Sequence, residues 1–156
     1  TTEVIGRLAK HPLMRALRPD KLTLMALVAT LELYRDGKLS DIPTLGMLYE
    51  RQETLLARAE SLRGLLEARR ISAKLVRVRS AVGGGSQPLH KPWSYAVSPV
   101  LSEEHVLHVQ SALRRSNPPI VARVSSGRLL CDVRTIADTD ISSVADAVCQ
   151  ALQRIG

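Results

Sequence analysis

Lys74-Leu75-Val76-Arg77-Val78-Arg79 alternates with period two and reads as a half-exposed strand. Reading outward toward the C-terminus, Tyr95-Ala96-Val97 makes a second strand. Ser102 caps a helix that runs to about Arg115, with Glu103 and Glu104 in its first turn, where the helix dipole favours acids. Pro118-Pro119 ends the connection that follows. Ile120–Val124 and Leu129–Val133 form a hairpin turned at Ser125-Ser126-Gly127, and Asp140 caps a last helix to about Arg154. The second half is therefore ββαββα. Strands joined through hairpins, with helices gathered on one face, describe an α+β open sandwich.

Toward the N-terminus the chain is helical. Residues 3–10 form a short helix stopped near Pro12, and Asp20 is a good N-cap for a second helix that runs to about Arg35 and closes at Gly37. Between Leu22 and Tyr34 only Thr23, Thr30 and Glu32 are polar, so this helix is expected to be buried on most faces, within a domain or between domains. Pro43–Tyr49 is a further short helix. Residues 51–69 are amphipathic: Leu55, Leu56, Ala59, Leu62, Leu65 and Leu66 share one side, and Arg51, Glu53, Arg58, Glu60, Arg63 and Glu67 take the others. The expected organisation is a set of linking helices over 1–50 and a small α+β domain over 51–156.

The 156 residues suit about one domain, and 45% apolar with 24% charged residues is globular rather than disordered or collagen-like. No apolar run approaches the length of a membrane span. Cys131 and Cys149 form no CxxC, which favours two buried thiols in a reducing cytoplasm, and no signal peptide is evident. The first residue is Thr rather than Met, as expected of a piece of something longer. Phe is absent, so Leu, Val, Ile and Ala must build the core.

The net charge of +7 is uneven: residues 1–79 carry 15 basic against 9 acidic side chains, residues 80–156 carry 7 against 6. Such a first half suits either RNA or an anionic ligand, or is a solvated helical surface. The aromatic residues, Trp93 and three Tyr, do not interleave with the arginines, which weakens the reading as a single-stranded RNA module.

Four constellations carry chemistry. His105 and His108 lie i,i+3 beside Glu104 but lack a third ligand nearby, so no metal site is expected. Successive N–H groups of Gly83-Gly84-Gly85-Ser86 suit an anion, yet the run matches neither the Walker loop nor GxGxxG and equally reads as a flexible connection. Cys131, in an apolar strand without a histidine beside it, reads as a buried thiol. Arg15 and Arg18, three apart in HPLMRALRPDK, can meet one oxyanion if their turn is helical.

Three blocks, HPLMRALRPDKLTLMALVATLELY (His11–Tyr34), VGGGSQP (Val82–Pro88) and PPIVARVSSGRLLCDVRTI (Pro118–Ile136), resemble in order and spacing the C-terminal part of bacterial selenocysteine synthases, the L-seryl-tRNA(Sec) selenium transferases. The resemblance covers essentially the whole chain. It implies the C-terminal part of a fold-type I transferase dependent on pyridoxal 5'-phosphate, cytoplasmic and homo-oligomeric, without membrane or DNA partners. Such an enzyme converts seryl-tRNA(Sec) to selenocysteinyl-tRNA(Sec) with selenophosphate as donor. The Schiff-base lysine of that family falls upstream of Thr1, and Lys21 is not its counterpart. This piece alone is therefore expected to hold no cofactor covalently, to carry no catalytic residue and to be inactive.

The resemblance also assigns anion and substrate contacts. Arg15 and Arg18 match positions expected to hold the phosphate-like donor. Arg123 sits where related enzymes carry an arginine for a substrate carboxylate, with Arg134 a second choice of that kind, and Ser86 approaches the pocket. Residues 1–50 are expected to pack on the absent cofactor domain, and the exposed apolar helix to drive self-association. Gln87 and Val28 depart from the family pattern. Two rival readings are a related cofactor enzyme doing β- or γ-elimination on a free amino acid, and a non-catalytic basic module binding RNA or protein.

Overall fold

In the computed structural model, which describes residues 1–82 and 89–154, the chain divides into two units, Thr1–Gly46 and Met47–Gly156. The first contains α1 (Thr2–Ala9), α2 (Leu13–Ala16), α3 (Lys21–Arg35) and a 3-10 turn at Leu39–Asp41, and α4 (Pro43–Tyr49) begins at its end. Asp20 caps α3 as its position predicts: its carboxylate accepts from the Thr23 N–H at 3.0 Å and the Thr23 hydroxyl at 2.8 Å. Those two bonds, the backbone one foremost, hold the Asp20 pKa below its ordinary value. At the other end Gly37 adopts φ +71° and the Lys38 N–H bonds the Leu33 carbonyl at 2.9 Å, closing the helix in a Schellman turn.

Of the two expectations for α3, burial within its own unit is not met. No residue of Thr1–Gly46 is buried; Leu22 is 77% exposed and Met25 67%. The few short helices of Thr1–Gly46 are too small a unit to enclose a helix apolar on every side.

In the second unit α5 (Gln52–Ala68) precedes β1 (Ala73–Arg79), β2 (Trp93–Pro99), α6 (Glu103–Arg114), β3 (Arg123–Ser125), β4 (Arg128–Asp132) and α7 (Ile141–Gln153). The antiparallel sheet has the order β1-β2-β4-β3, with Leu75 opposite Val97 and Val97 opposite Cys131. This is the α+β architecture with a ββαββα core that the sequence predicts. The β3–β4 turn is a two-residue connection with Ser126 and Gly127 both at positive φ, as a type I′ hairpin demands.

One sheet face packs against the three helices. Leu55, Ala59, Leu62 and Leu66 of α5 meet Val106, Val109 and Leu113 of α6, Val144 and Val148 of α7, and Val97, Leu129 and Cys131 of the sheet. The other face holds a smaller cluster of Val76, Val78, Ala96 and Leu130. Both sides of β1 therefore bury apolar groups. Its alternation instead puts Arg77 and Arg79 on the Leu75 side at the strand's far end, where they remain exposed.

Three local expectations are corrected. Ile120–Ala122 does not join β3, because the Ile120 N–H bonds the Leu113 carbonyl and the Gln110 amide takes the Ala122 carbonyl, tying this stretch to α6. Asp140 does not cap α7. It closes a 3-10 turn, Asp138–Asp140, with helical dihedrals of −98° and −8°, whereas a cap needs an extended residue. Ser102 occupies the N-cap position of α6, but its hydroxyl meets His105 Nδ1 at 2.9 Å and makes no bond to a backbone N–H.

Leu62, fully buried, and Leu22, largely exposed, make opposite predictions. Leu62→Ala should lower the unfolding free energy of the second unit by about 2–5 kcal/mol. Leu22→Ala should change that of the chain by no more than about 0.5 kcal/mol. Urea unfolding of the three proteins checks both.

Candidate functional site

Asp132, the last residue of β4, organises the open face of the sheet. Its carboxylate accepts from the Ser80 hydroxyl at 2.5 Å, the Ser94 hydroxyl at 2.7 Å and the Arg134 N–H at 3.2 Å. Ser94 is fully buried and Ser80 nearly so, which makes their bonds to the carboxylate obligatory rather than optional. Beside this group opens a cavity of about 480 Å³. Ile120, Ile136 and Val144 supply apolar wall, and Ser80, Arg123 and Asp132 supply polar groups.

Arg123 reaches across this end of the sheet, and its Nη1 donates to the Arg79 carbonyl at 3.0 Å. A guanidinium carries five donor N–H groups in a fixed fork. One of these is anchored to a backbone carbonyl, which orients the group at the edge of the cavity.

Arg134 is placed differently. Its guanidinium is buried and turned inward, donating to the Met47 carbonyl at 2.7 Å, the Leu48 carbonyl at 3.2 Å and the Trp93 carbonyl at 2.5 Å. Burial lowers its pKa from the ordinary arginine value, while the charges of Asp132 and Glu50 pull the other way. Bound in this manner it is a clamp on the backbone, with no fork left for a substrate carboxylate.

Arg58, expected on a solvent face of α5, is also buried. Its Nε donates to Asp138 at 2.6 Å, its Nη2 to Glu50 at 3.2 Å and its Nη1 to the Val133 carbonyl at 3.3 Å. The bond to Asp138 is the largest cause of its raised pKa, and the same bond depresses that of Asp138. Of its two acidic partners, Glu50 lies 8 residues away and Asp138 80.

The remaining predicted residues fall into separate places. Arg15 lies in α2 and Arg18 just beyond it, both exposed and both in the first unit. Among the described residues neither side chain forms an ion pair or hydrogen bond. Ser86 and its glycines lie outside the described residues. His105 and His108 contact Ser102 and the Glu104 carbonyl, and among the described residues no cluster of three His, Cys, Asp or Glu is placed to hold a metal ion. Among them also, no helix is long and apolar enough to cross a membrane. Cys131 is buried, and burial pushes its thiol pKa up to about 12.

One constellation escapes the sequence reading. Arg79 stands opposite Trp93 in the β1–β2 register, with Arg77 opposite Tyr95. The Arg79 and Arg77 guanidinium carbons lie 3.9 and 4.5 Å from the centre of the Trp93 ring. The aromatic and basic residues that look separate along the chain are thus interleaved across two strands. The only signal in the sequence is that each belongs to a period-two segment, and pairing register is not legible from either segment alone.

The second unit thus presents an arginine-bearing cavity and a basic aromatic patch. Comparison with known proteins gives the family. The family model described as L-seryl-tRNA selenium transferase matches residues 1–137, and the chain belongs to that family. It is 40% identical over 156 residues to the L-seryl-tRNA(Sec) selenium transferase of Moorella thermoacetica, covering 97% of this chain and 33% of that protein. The enzyme of the same name from Geotalea daltonii is 38% identical over 94% of this chain, and that of Hyphomonas neptunium 36% over 97%. The chain spans about a third of the length of these curated relatives.

Two measurements follow from the site. Because the folded-state pKa of Asp138 is depressed, its pairing with Arg58 contributes stability that is complete above the ordinary aspartate pKa of 3.8. That contribution is lost as pH falls from there through the lower folded value. Asp138→Asn should therefore be less stable than the parent at neutral pH, with the gap closing below about pH 4 in acid-urea titrations. Cys131 should resist iodoacetamide in the folded protein at mildly alkaline pH and react only on unfolding, as peptide mass mapping would show.

Proposed function

We propose that this chain is a ligand-binding part of an enzyme that converts seryl-tRNA(Sec) to selenocysteinyl-tRNA(Sec), with selenophosphate as the selenium donor. The observation that carries the reading is 40% identity to such a transferase across 97% of the chain. Fold-type I architecture and dependence on pyridoxal 5'-phosphate belong to the same reading, as do a cytoplasmic location and assembly into homo-oligomers.

The reading puts the covalent site for that cofactor outside this chain. A Schiff base needs a lysine beside a phosphate cradle, and among the described residues no lysine lines the Arg123 cavity. Lys21, at the first position of α3, is exposed. The reading therefore assigns the cofactor, and the electron sink it supplies when bound, to the two thirds of the enzyme beyond this chain.

What the chain contributes is binding. Arg15 and Arg18, exposed and without protein partners among the described residues, are suited to a phosphate-like donor through charge-assisted hydrogen bonds. Arg123, oriented by the Arg79 carbonyl, offers its free donors to an anionic or carbonyl oxygen of the aminoacyl group. Residues 1–50 link this domain to the rest of the enzyme, and the exposed apolar side of α3 is the surface through which they would pack.

The test is product formation from seryl-tRNA(Sec) and selenophosphate by the full-length enzyme that contains this sequence. Turnover by the full-length enzyme, and none by the 156-residue chain, is the expected result. Arg15→Gln with Arg18→Gln should raise the KM for selenophosphate by roughly tenfold or more, the loss of at least one charged hydrogen bond. An unchanged KM removes the two arginines from donor binding, and absence of product with any seryl-tRNA defeats the reading.

A further inference from the structure

We propose that Arg77, Arg79 and Trp93 form a landing site for RNA, where flat aromatic and guanidinium surfaces meet nucleobases and the two cations meet adjoining phosphates. The choice of RNA rests on the transferase reading above; the existence of the patch does not.

The patch is built, not incidental. Cross-strand register sets Arg79 directly opposite Trp93, and the indole is 40% exposed. Both guanidinium groups sit over that one ring, at 3.9 and 4.5 Å from its centre. One cation suffices for a cation–π contact; a second brings like charge against like. Among the described residues no carboxylate lies within ion-pair distance of either arginine, although Arg51, Arg58, Arg63 and Arg69 of the same unit each find one.

Two features orient the patch outward. Arg79 Nη1 donates to the Lys91 carbonyl at 2.8 Å, which holds that guanidinium against the ring and leaves its other donors free. The Arg79 carbonyl in turn accepts from Arg123, so a third cation is tied to the same strand end.

Uncompensated cations call for an anionic partner, and the exposed indole narrows which one. An acidic peptide supplies charge but no flat surface for the ring. A nucleic acid supplies both, because bases stack on aromatic side chains and on guanidinium planes while phosphates take the N–H groups. Repulsion between the two arginines falls as phosphates enter.

Trp93 is the single tryptophan of the chain, so selectively excited indole emission reports on this patch alone. The 156-residue chain is titrated with unacylated tRNA and, separately, with heparin as a polyanion that has no bases. The proposal expects tRNA to quench Trp93 and heparin to bind without the same quench. Arg77→Gln with Arg79→Gln should weaken tRNA binding roughly tenfold or more and reduce the slope of log affinity against log salt by about two. Its circular dichroism should be that of the parent.

Three results overturn the proposal: tRNA binding that leaves Trp93 emission unchanged, a double variant that binds as the parent does, or an equal quench by heparin or by poly-glutamate. Failure of the patch and failure of the transferase reading are separable in the full-length enzyme. Product formation by the double variant with unchanged KM for seryl-tRNA(Sec) overturns the patch and leaves the transferase standing. Trp93-reported RNA binding by a protein that makes no product does the reverse.

Discussion

A buried guanidinium has to place its donors, and at Arg134 they hold together three parts of the second unit that are remote in sequence. The carbonyls of Met47 and Leu48 come from the end of α4, that of Trp93 from the start of β2, and Arg134 itself from the 3-10 turn after β4. Asp132 receives the Arg134 backbone N–H and so fixes the turn from which the side chain departs. Arg58 repeats the device one layer away, joining α5 to Glu50, Val133 and Asp138. Hydrogen bonds to a charged donor in a dry setting are stronger than neutral ones, and leaving such a donor unmet is costly. The hydrophobic core sets which faces meet, and these two arginines set where the connecting segments stop.

Both the patch and the cavity follow from that constraint. Because the Trp93 carbonyl is held inward by Arg134 and by the Gln52 amide at 2.7 Å, the residue's ring is left at the surface, opposite Arg79. Because Asp132 is occupied by two serine hydroxyls and a backbone amide, it adds shape to the neighbouring cavity while Arg123 stays the oriented cation there. The positive charge of the chain thus divides into two kinds. Arg58 and Arg134 are buried and bond mainly within the protein, with the Arg134 Nε left unpaired; Arg77, Arg79 and Arg123 are exposed.

Much of the fold is legible in the sequence because local chemistry and tertiary packing agree. Asp20, Gly37 and the Ser126-Gly127 turn each satisfy a backbone requirement that involves only near neighbours, and each lies where its residue type predicts. The failures share one cause. Asp140 looks like a cap because nothing local distinguishes it from one, yet Asp138 is drawn to Arg58 and the chain enters α7 through a 3-10 turn instead. Ile120–Ala122 has strand-forming residues, but α6 supplies its hydrogen-bond partners from the other side. The apolar stripe of α3 is surface that demands cover, and the cover is not furnished within its own unit.

By itself the sequence determined the helix and strand order, the α+β class, the apolar membership of the core and the family to which the chain belongs. Each of these depends on residue type and spacing along the chain. Only the tertiary structure decided what the arginines do. Whether a guanidinium faces a carboxylate, a backbone carbonyl, an indole or open solvent is set by residues tens of positions away, brought near by register and packing. A charge count of +7 treats all of those cations alike. Folding separates those bonded inside the protein from those left at its surface.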